Sequence, residues 1–534
     1  MNRFAALLLI LIAGSMFRCY NLDSPSIGYH NMRENESLSV AQEMLASGDL
    51  LHKRLYFENS FSSDPVIRGA RQPQLVPYQI ILSWKLFGEN LWGARLFNVV
   101  FGIAAVIVIY FIAQALFMNV TLALASAAIL AVIPLAVFFS RNLQGESPAF
   151  FFMLLGNLFY LRFIRSRKKY KLTAGGVSFI ISFLYSSNFI FGALPLFFCF
   201  PYGDIAKSRK GLLNFSLSLF LPFAALGLFY MWPLGGEGIG PAHNILKAEI
   251  FSPDYWRQHA SVISWYTKTE NFTAVFSVLA LLGTVLAFLR GSGTLNRYIM
   301  GWAFCAIIYA SVFAEQLYQQ NFIQMPFLAM VAISSVYAIG YMAESMKGAV
   351  KKDLLVYLLA AAVITGGYLS YKSVQRMHSV SFLGQDVAGE SLKELTRGTE
   401  RVFLNTYAQG YAIARYAQRY VGWASDLEQF KKKEKEFDIR YICFYPAEFA
   451  RNLQNDNPGL FEYIKENYHA KEAGFTEEPS KLFYIILERG RSKDPEKLLE
   501  AFSGPKKLRT IYKVSGRYIF FYSISVSEKG GGSA

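Results

Sequence analysis

The chain is poor in charge, cysteine and histidine, and each shortage narrows the field. Only 17% of its 534 residues are Asp, Glu, Lys or Arg, against 53% hydrophobic and 16% aromatic residues, and mean hydropathy is +0.26. So little charge cannot cover the surface of a wholly soluble protein of this size. The four cysteines, Cys19, Cys199, Cys305 and Cys443, are scattered, with no CxxC and no Cys/His ligand spacing. Neither a disulfide framework nor a zinc site follows from them. Acids are outnumbered, 38 to 53, giving a net charge of +15. The excess cations sit mainly in short loops between apolar runs and in the polar tail. They read as orientation signals and contacts to anionic lipid head groups, and no nucleic-acid partner is expected.

What is abundant is apolar sequence in runs of membrane-crossing length, about 20 residues for a ~30 Å hydrocarbon layer. Arg3 precedes a first run from Phe4 to Phe17. Ala13-Gly14-Ser15 is small enough for a leader-processing site, but Met16 and Phe17 lengthen the run and Arg18 follows as an interfacial anchor, so an uncleaved first span is expected. Further runs lie at 91–117, 120–139, 148–163, 172–184, 189–200, 212–234, 272–289, 298–314, 322–342 and 354–371, about eleven spans in all. The two short middle runs form a hairpin, because Arg162, Arg165, Arg167, Lys168, Lys169 and Lys171 precede them and Lys207, Arg209 and Lys210 follow. Both basic loops belong in the cytoplasm. Counting from there puts the amino terminus inside and loops 18–90 and 235–271 outside, together with the tail from Lys372. Tyr185-Ser186-Ser187-Asn188 then sits at the bottom of a water-filled outer cavity, since irregular polar backbone at membrane depth needs protein or water to satisfy it.

The first outer loop carries two amphipathic segments. One begins at Asn31, repeats Leu38, Ala41, Met44 and Leu45 at helical spacing, and closes at Gly48-Asp49; the other runs from about Pro77 to Phe87. They are expected to form a shared surface platform. His30, Arg33, Glu34 and Glu36 cluster where the first helix begins, a place that favours anions. Asn31 and Glu34 also have the spacing of a capping box, in which Glu34 would only close the helix end. A second polar interruption, Ser140 to Ser147, holds Arg141 and Glu146, either a salt bridge or functional groups at the hydrocarbon boundary. The loop 235–271 is rich in aromatics, including His243, His259, Trp256 and Trp265, suited to interfacial anchoring or to stacking on sugars.

The stretch Gly88-Glu89-Asn90-Leu91-Trp92-Gly93-Ala94-Arg95-Leu96 leading into a span, the segment Met44-Leu45-Ala46-Ser47-Gly48-Asp49, and Ser140-Arg141 with Glu146 ahead of another span resemble the GT-C glycosyltransferases of the protein-mannosyltransferase and aminoarabinose-transferase superfamily. The resemblance covers the architecture of about residues 1 to 370. It implies a polyprenyl-phosphate-linked sugar as donor, an extracytoplasmic acceptor and an acidic first-loop residue as base. Carried over by register from Met44 to Asp49, the family's Asp-Glu pair falls on Arg33-Glu34. The aspartate is missing, which leaves Glu34 as the nearest base with Glu36 as its rival. The second-loop acid falls on Glu146, and Tyr318 and Gln320 lie where such families face the donor. Some aminoarabinose transferases carry a metal-binding glutamate before a Lys-Pro; here Arg71 precedes Gln72-Pro73, so no metal or other cofactor is assigned. Such a transfer needs a base for an acceptor hydroxyl and cations for the phosphate leaving group. Arg141, Arg68, Arg71, Arg257 and Lys268 are the outer-side cations, each also explicable as a head-group anchor. A lipid-linked-sugar transporter and an oligosaccharide ligase are the competing functions, although no internal repeat of the transporter kind is present.

After Lys372 the composition becomes that of an ordinary globular domain. Strands are expected at Val402–Leu404, Tyr441–Phe444 and 482–487, with helices at 412–420, 427–437 and 458–468, which together suggest an extracytoplasmic α/β domain over 372–529 behind a membrane domain over 1–371. The final residues 530–534, Gly-Gly-Gly-Ser-Ala, read as an appended flexible linker.

Overall fold

A computed structural model describes residues 3–57, 75–200, 209, 213, 252–291, 293–346, 354–406, 410–490 and 505–525. The expected span at 212–234 and the linker at 530–534 lie outside the described residues. Two compact units emerge: Met1–Asp23 with Gly69–Met377, and Ser24–Arg68 with His378–Ala534. Helix α1 (Arg3–Cys19) belongs to the first unit, α2 (Asn31–Ser47) to the second, and α3 (Leu75–Phe87) to the first again. The two first-loop helices, expected to share one platform, are therefore divided between units. The reason is burial: α2 hides Glu34, Asn35, Leu38, Ser39, Val40, Ala41 and Gln42, too broad a face for a helix lying on a membrane.

The first unit continues through α4 (Leu91–Phe117), α5 (Val120–Val132), α6 (Pro134–Phe139), α7 (Glu146–Ser166), α8 (Lys169–Tyr185), α9 (Leu194–Cys199), α10 (Pro253–Trp265), α11 (Thr273–Arg290), α12 (Thr294–Val312), α13 (Ala314–Gln319), α14 (Leu328–Ser345) and α15 (Leu354–Ser379). Among the described residues five helical stretches are long and apolar enough to cross a membrane: α4, α7, α11, Asn321–Ser345 and α15. The family-like stretch at Phe87 to Arg95 has a local structural task. Gly88 takes φ 76°, and the Asn90 side chain accepts from the Gly93 amide at 2.7 Å, so the α3–α4 corner is closed by a left-handed glycine and an N-cap.

The run expected at 120–139 is broken. Ile133 turns extended (ψ 128°) because Pro134 disfavours helical backbone before it and has no N–H for the Leu130 carbonyl. Arg18 supplies the missing donors. Its Nη1 donates to the Ala131 carbonyl at 2.8 Å and its Nη2 to the Leu130 carbonyl at 3.3 Å. With 1% of its surface exposed, Arg18 is an internal cap and not the interfacial anchor its position suggested. The run at 322–342 begins as a tight 3₁₀ turn, Asn321–Phe327, around Pro326. The expected interruption at residues 185–188 is present: Ser186 is extended and a 3₁₀ turn, Ser187–Ala193, precedes α9. Gly145 packs there so tightly that a Cβ would lie 2.2 Å from the Tyr185 carbonyl oxygen.

The second unit holds a seven-stranded sheet of order β2-β1-β3-β5-β4-β7-β6. Its strands are β1 (Val402–Asn405), β2 (Val421–Gly422), β3 (Tyr441–Phe444), β4 (Tyr468–Glu477), β5 (Ser480–Arg489), β6 (Lys506–Val514) and β7 (Arg517–Ser525). Pairing is parallel for β1 with β2 and β3, and antiparallel elsewhere. Helices α16 (Gln385–Leu395), α17 (Gly410–Ala417), α18 (Leu427–Glu436), α19 (Phe449–Asp456) and α20 (Pro458–Asn467) accompany it. Strand alternation feeds two cores. Val402, Leu404, Tyr484 and Ile486 join one, while Phe403, Ile442, Ile485 and Leu487 join the other. The first core also takes Ile27 and Tyr56 from the first loop, which is why residues far apart in sequence fold as one unit.

Asp386, at the start of α16, is buried, and its carboxylate accepts from the Tyr512 hydroxyl. Burial raises its pKa to about 6, against an opposing pull from the Tyr512 hydrogen bond. The folded chain therefore keeps a proton that the unfolded chain releases near pH 4. The stability this group contributes is complete below about pH 4 and is lost as pH rises through about 6, an effect of roughly 3 kcal/mol. Asp386→Asn is expected to remove that component. In thermal melts between pH 4 and 7, the variant should gain on the wild type as pH rises.

Candidate active site

Helix α2 begins at Asn31, and its N-cap is His30, in left-handed conformation (φ 58°, ψ 26°), with no side chain capping there. Asn31 therefore lies inside the helix and its amide side chain donates outward to Gln385 Oε1 at 2.7 Å. The capping box fails for that reason. Glu34 sits one step beyond the N3 position, is 5% exposed, and accepts from the Ser26 hydroxyl at 2.5 Å. Glu36 takes a different environment: it is ion-paired to Lys53 and remains one-third exposed. Arg33 is exposed. Burial, then the Glu36 charge, pushes the Tyr411 hydroxyl pKa up, while Arg33 pulls it down. That places Tyr411, on α17, within electrostatic reach of both. His30 packs its ring against Tyr29 at 4.2 Å. The second unit thus gathers His30, Arg33, Glu34 and Glu36 around the head of one helix, as the sequence spacing indicated, and adds Ser26 and Tyr411.

The first unit has its own polar layer. Glu146 opens α7, buried at 3% exposure, where the helix N-terminus favours a carboxylate. Asn98 donates to the Gln144 carbonyl at 2.9 Å and Ser147 to the Asn98 carbonyl at 3.0 Å, which fixes this turn against α4. Arg141 is buried too, but its Nη1 and Nη2 donate to the backbone carbonyls of Tyr20 and Asn21 at 2.8 and 2.9 Å. Much of its hydrogen-bonding capacity is spent tethering the chain that leaves α1. Tyr318 stacks on His259, rings 3.7 Å apart and nearly parallel, and Gln320 follows in extended backbone. Arg257 points to solvent beside Asp254, and Lys268 is exposed. Arg68, Arg71 and His243 lie outside the described residues.

Residues 71–232 match the family model of dolichyl-phosphate-mannose-protein mannosyltransferase. Comparison with curated protein sequences gives no match. Among solved structures, the chain is similar to the archaeal oligosaccharyltransferase AglB from Archaeoglobus fulgidus, in complex with an inhibitory peptide and a dolichol-phosphate, with TM-score 0.55, 13% identity, and coverage of 92% of this chain and 74% of that one. It is similar to apo ArnT from Cupriavidus metallidurans, with TM-score 0.50, 11% identity, and coverage of 91% and 97%. It is also similar to the arabinofuranosyltransferase AftD from Mycobacteria, with TM-score 0.52 and 12% identity, covering 92% of this chain but 40% of AftD.

The chain has a GT-C glycosyltransferase fold. The family likeness lies in residues 71–232, and the likeness of the whole chain to these solved structures is one of fold.

In the first unit the sequence reading missed a buried acid. Glu270, in the π-helical turn Tyr266–Asn271, is buried and accepts from Asn321 Nδ2 at 2.9 Å, while Asn271 donates to the Asn321 carbonyl at 3.0 Å. The signal was available, since Glu270 stands at the end of a polar loop against an apolar run, the same boundary argument that selected Glu146. Beside this turn lies an apolar groove of about 310 Å³ whose lining includes Ile263, Phe272, Ala280 and Val331, with Thr267, Ser277, Thr284, Tyr309 and Gln324 as its polar members. Among the described residues no group of three His, Cys, Asp or Glu side chains is placed to hold a metal ion.

Proposed function

We propose that the protein transfers a sugar from a polyprenyl-phosphate-linked donor to an extracytoplasmic acceptor hydroxyl, with Glu34 as the base. Glu34 draws the proton from the acceptor oxygen, that oxygen bonds to the anomeric carbon, and the bond from that carbon to the lipid phosphate breaks. The observation that carries the reading is the environment of Glu34. It is a buried carboxylate at the head of a first-loop helix, held by Ser26. Glu36, paired to Lys53, is the alternative base, and Glu146 the second acid. His30 and Arg33 are assigned to the acceptor or donor head group, together with Arg68 and Arg71. Arg141 is assigned to the same ligand through the loop it tethers, and Tyr318 and Gln320 to the sugar. The apolar groove beside Glu270 suits an isoprenoid chain, which needs apolar walls and a polar end. The fold-level likeness to lipid-phosphate-dependent enzymes supports the same donor class.

Eleven crossings with the amino terminus in the cytoplasm put the first loop and the α/β unit on the outer face, as the positive-inside rule requires. Purified protein given a polyprenyl-phosphate sugar and an acceptor should release free polyprenyl phosphate in proportion to glycosylated acceptor. Movement of intact lipid-linked sugar across a vesicle membrane, without release of the lipid phosphate, would make it a transporter instead.

A further inference from the structure

The α/β unit does more than stand beside the first loop. Ser26, whose hydroxyl donates to Glu34 Oε2 at 2.5 Å, is 1% exposed and is fixed by two further bonds. Its amide donates to the Tyr416 hydroxyl on α17 at 3.2 Å. Its carbonyl accepts from Asn35 Nδ2 at 2.6 Å, and the same amide group reaches the Asn31 carbonyl at 2.9 Å. The neighbouring backbone is pinned as well, since Phe382 donates to the Ile27 carbonyl at 2.8 Å and Gly28 bridges to Ser381. Asn31, in turn, donates to Gln385 on α16. Gly389 makes the α16–α17 approach possible, for a Cβ there would fall 2.5 Å from Tyr416 Cβ.

Each link is a buried polar group, and a buried polar group left without a partner costs more than the bond itself contributes. The network therefore has few other arrangements. We infer that Ser26 is a positioning residue for the Glu34 carboxylate, and that the α/β unit, through Tyr416 and Gln385, holds Ser26 and the head of α2 in place. This gives the tail domain a part in the chemistry without contact to substrate. The inference rests on Glu34 being the base. A hydrogen bond from a fixed hydroxyl to the carboxylate restricts its side-chain rotamer.

The test compares Ser26→Ala, Ser26→Thr and Glu34→Gln in the full-length protein with a polyprenyl-phosphate sugar and acceptor. Ser26→Ala is expected to lower kcat by about 10- to 100-fold, the size of one hydrogen bond to a charged group. Donor KM should stay near wild type while the melting temperature falls by no more than the cost of one buried hydrogen bond, and Ser26→Thr, which keeps the hydroxyl, should recover most of kcat. Wild-type kcat in Ser26→Ala beside an inactive Glu34→Gln overturns the positioning role alone. A Ser26→Ala loss matched by a larger fall in melting temperature and a rise in donor KM overturns it too, as a purely structural role. Full turnover in Glu34→Gln removes the base assignment, and this inference with it.

Discussion

Glu34→Gln is expected to lower turnover by roughly 10²–10⁴-fold, the usual worth of a positioned general base, with folding and donor binding retained. The substitution keeps an oxygen that can accept from the Ser26 hydroxyl, so the short bond observed at 2.5 Å has a replacement. What it removes is the capacity to take a proton. Because His30 occupies the N-cap and Glu34 lies one step beyond N3, the substitution does not remove an Asn31–Glu34 capping box. Glu36→Gln is the companion measurement. Its carboxylate is paired to a half-buried Lys53 and can be replaced there by the Gln amide oxygen as acceptor, so this variant should keep most of its turnover. Near-normal rates in Glu34→Gln, or loss confined to Glu36→Gln, would transfer the role to Glu36.

The second large effect is expected at Arg18 and concerns stability. Arg18→Leu keeps an apolar stem in the same space but deletes the donors to the Leu130 and Ala131 carbonyls. Each carbonyl left buried without a partner costs about 1–3 kcal/mol, so the variant should lose about 2–6 kcal/mol. In a lipid or detergent environment no water is at hand to compensate. Thermal melting of the solubilised protein checks this. A melting temperature unchanged from wild type would mean that the break at Ile133-Pro134 is satisfied in another way. A residue with only an interfacial role would give that unchanged result.

Local rules read much of the architecture directly. Apolar runs located the helices at 91–117 and 273–290 within a residue, and the start of the helix at 354–379, because a membrane-length helix needs little beyond its own composition. The β-pattern found β1 and β3, whose alternate residues fill two cores. It missed β4, β6 and β7. Parts of these strands carry exposed or half-exposed side chains, such as Tyr518 and Phe520, and the strands are defined mainly by pairing with one another. The continuous run at 120–139 concealed its break, since hydropathy does not register that Pro134 lacks an N–H.

By itself, the sequence determined the membrane class, the positions of many helices and which acids deserved attention, because composition and spacing act locally. The tertiary structure alone decided what those acids and cations touch. It showed Glu34, left by the sequence between a helix cap and a base, as a carboxylate held by Ser26, and turned Arg18 from a surface anchor into a donor for the Leu130 and Ala131 carbonyls. It brought up Glu270 from a loop. It also folded residues 24–57 together with residues 378 onward. The physical reason is common to all four. A buried polar group must find its partner wherever the fold brings one, and Asn31 finds Gln385 across a separation of 354 residues that no local pattern spans.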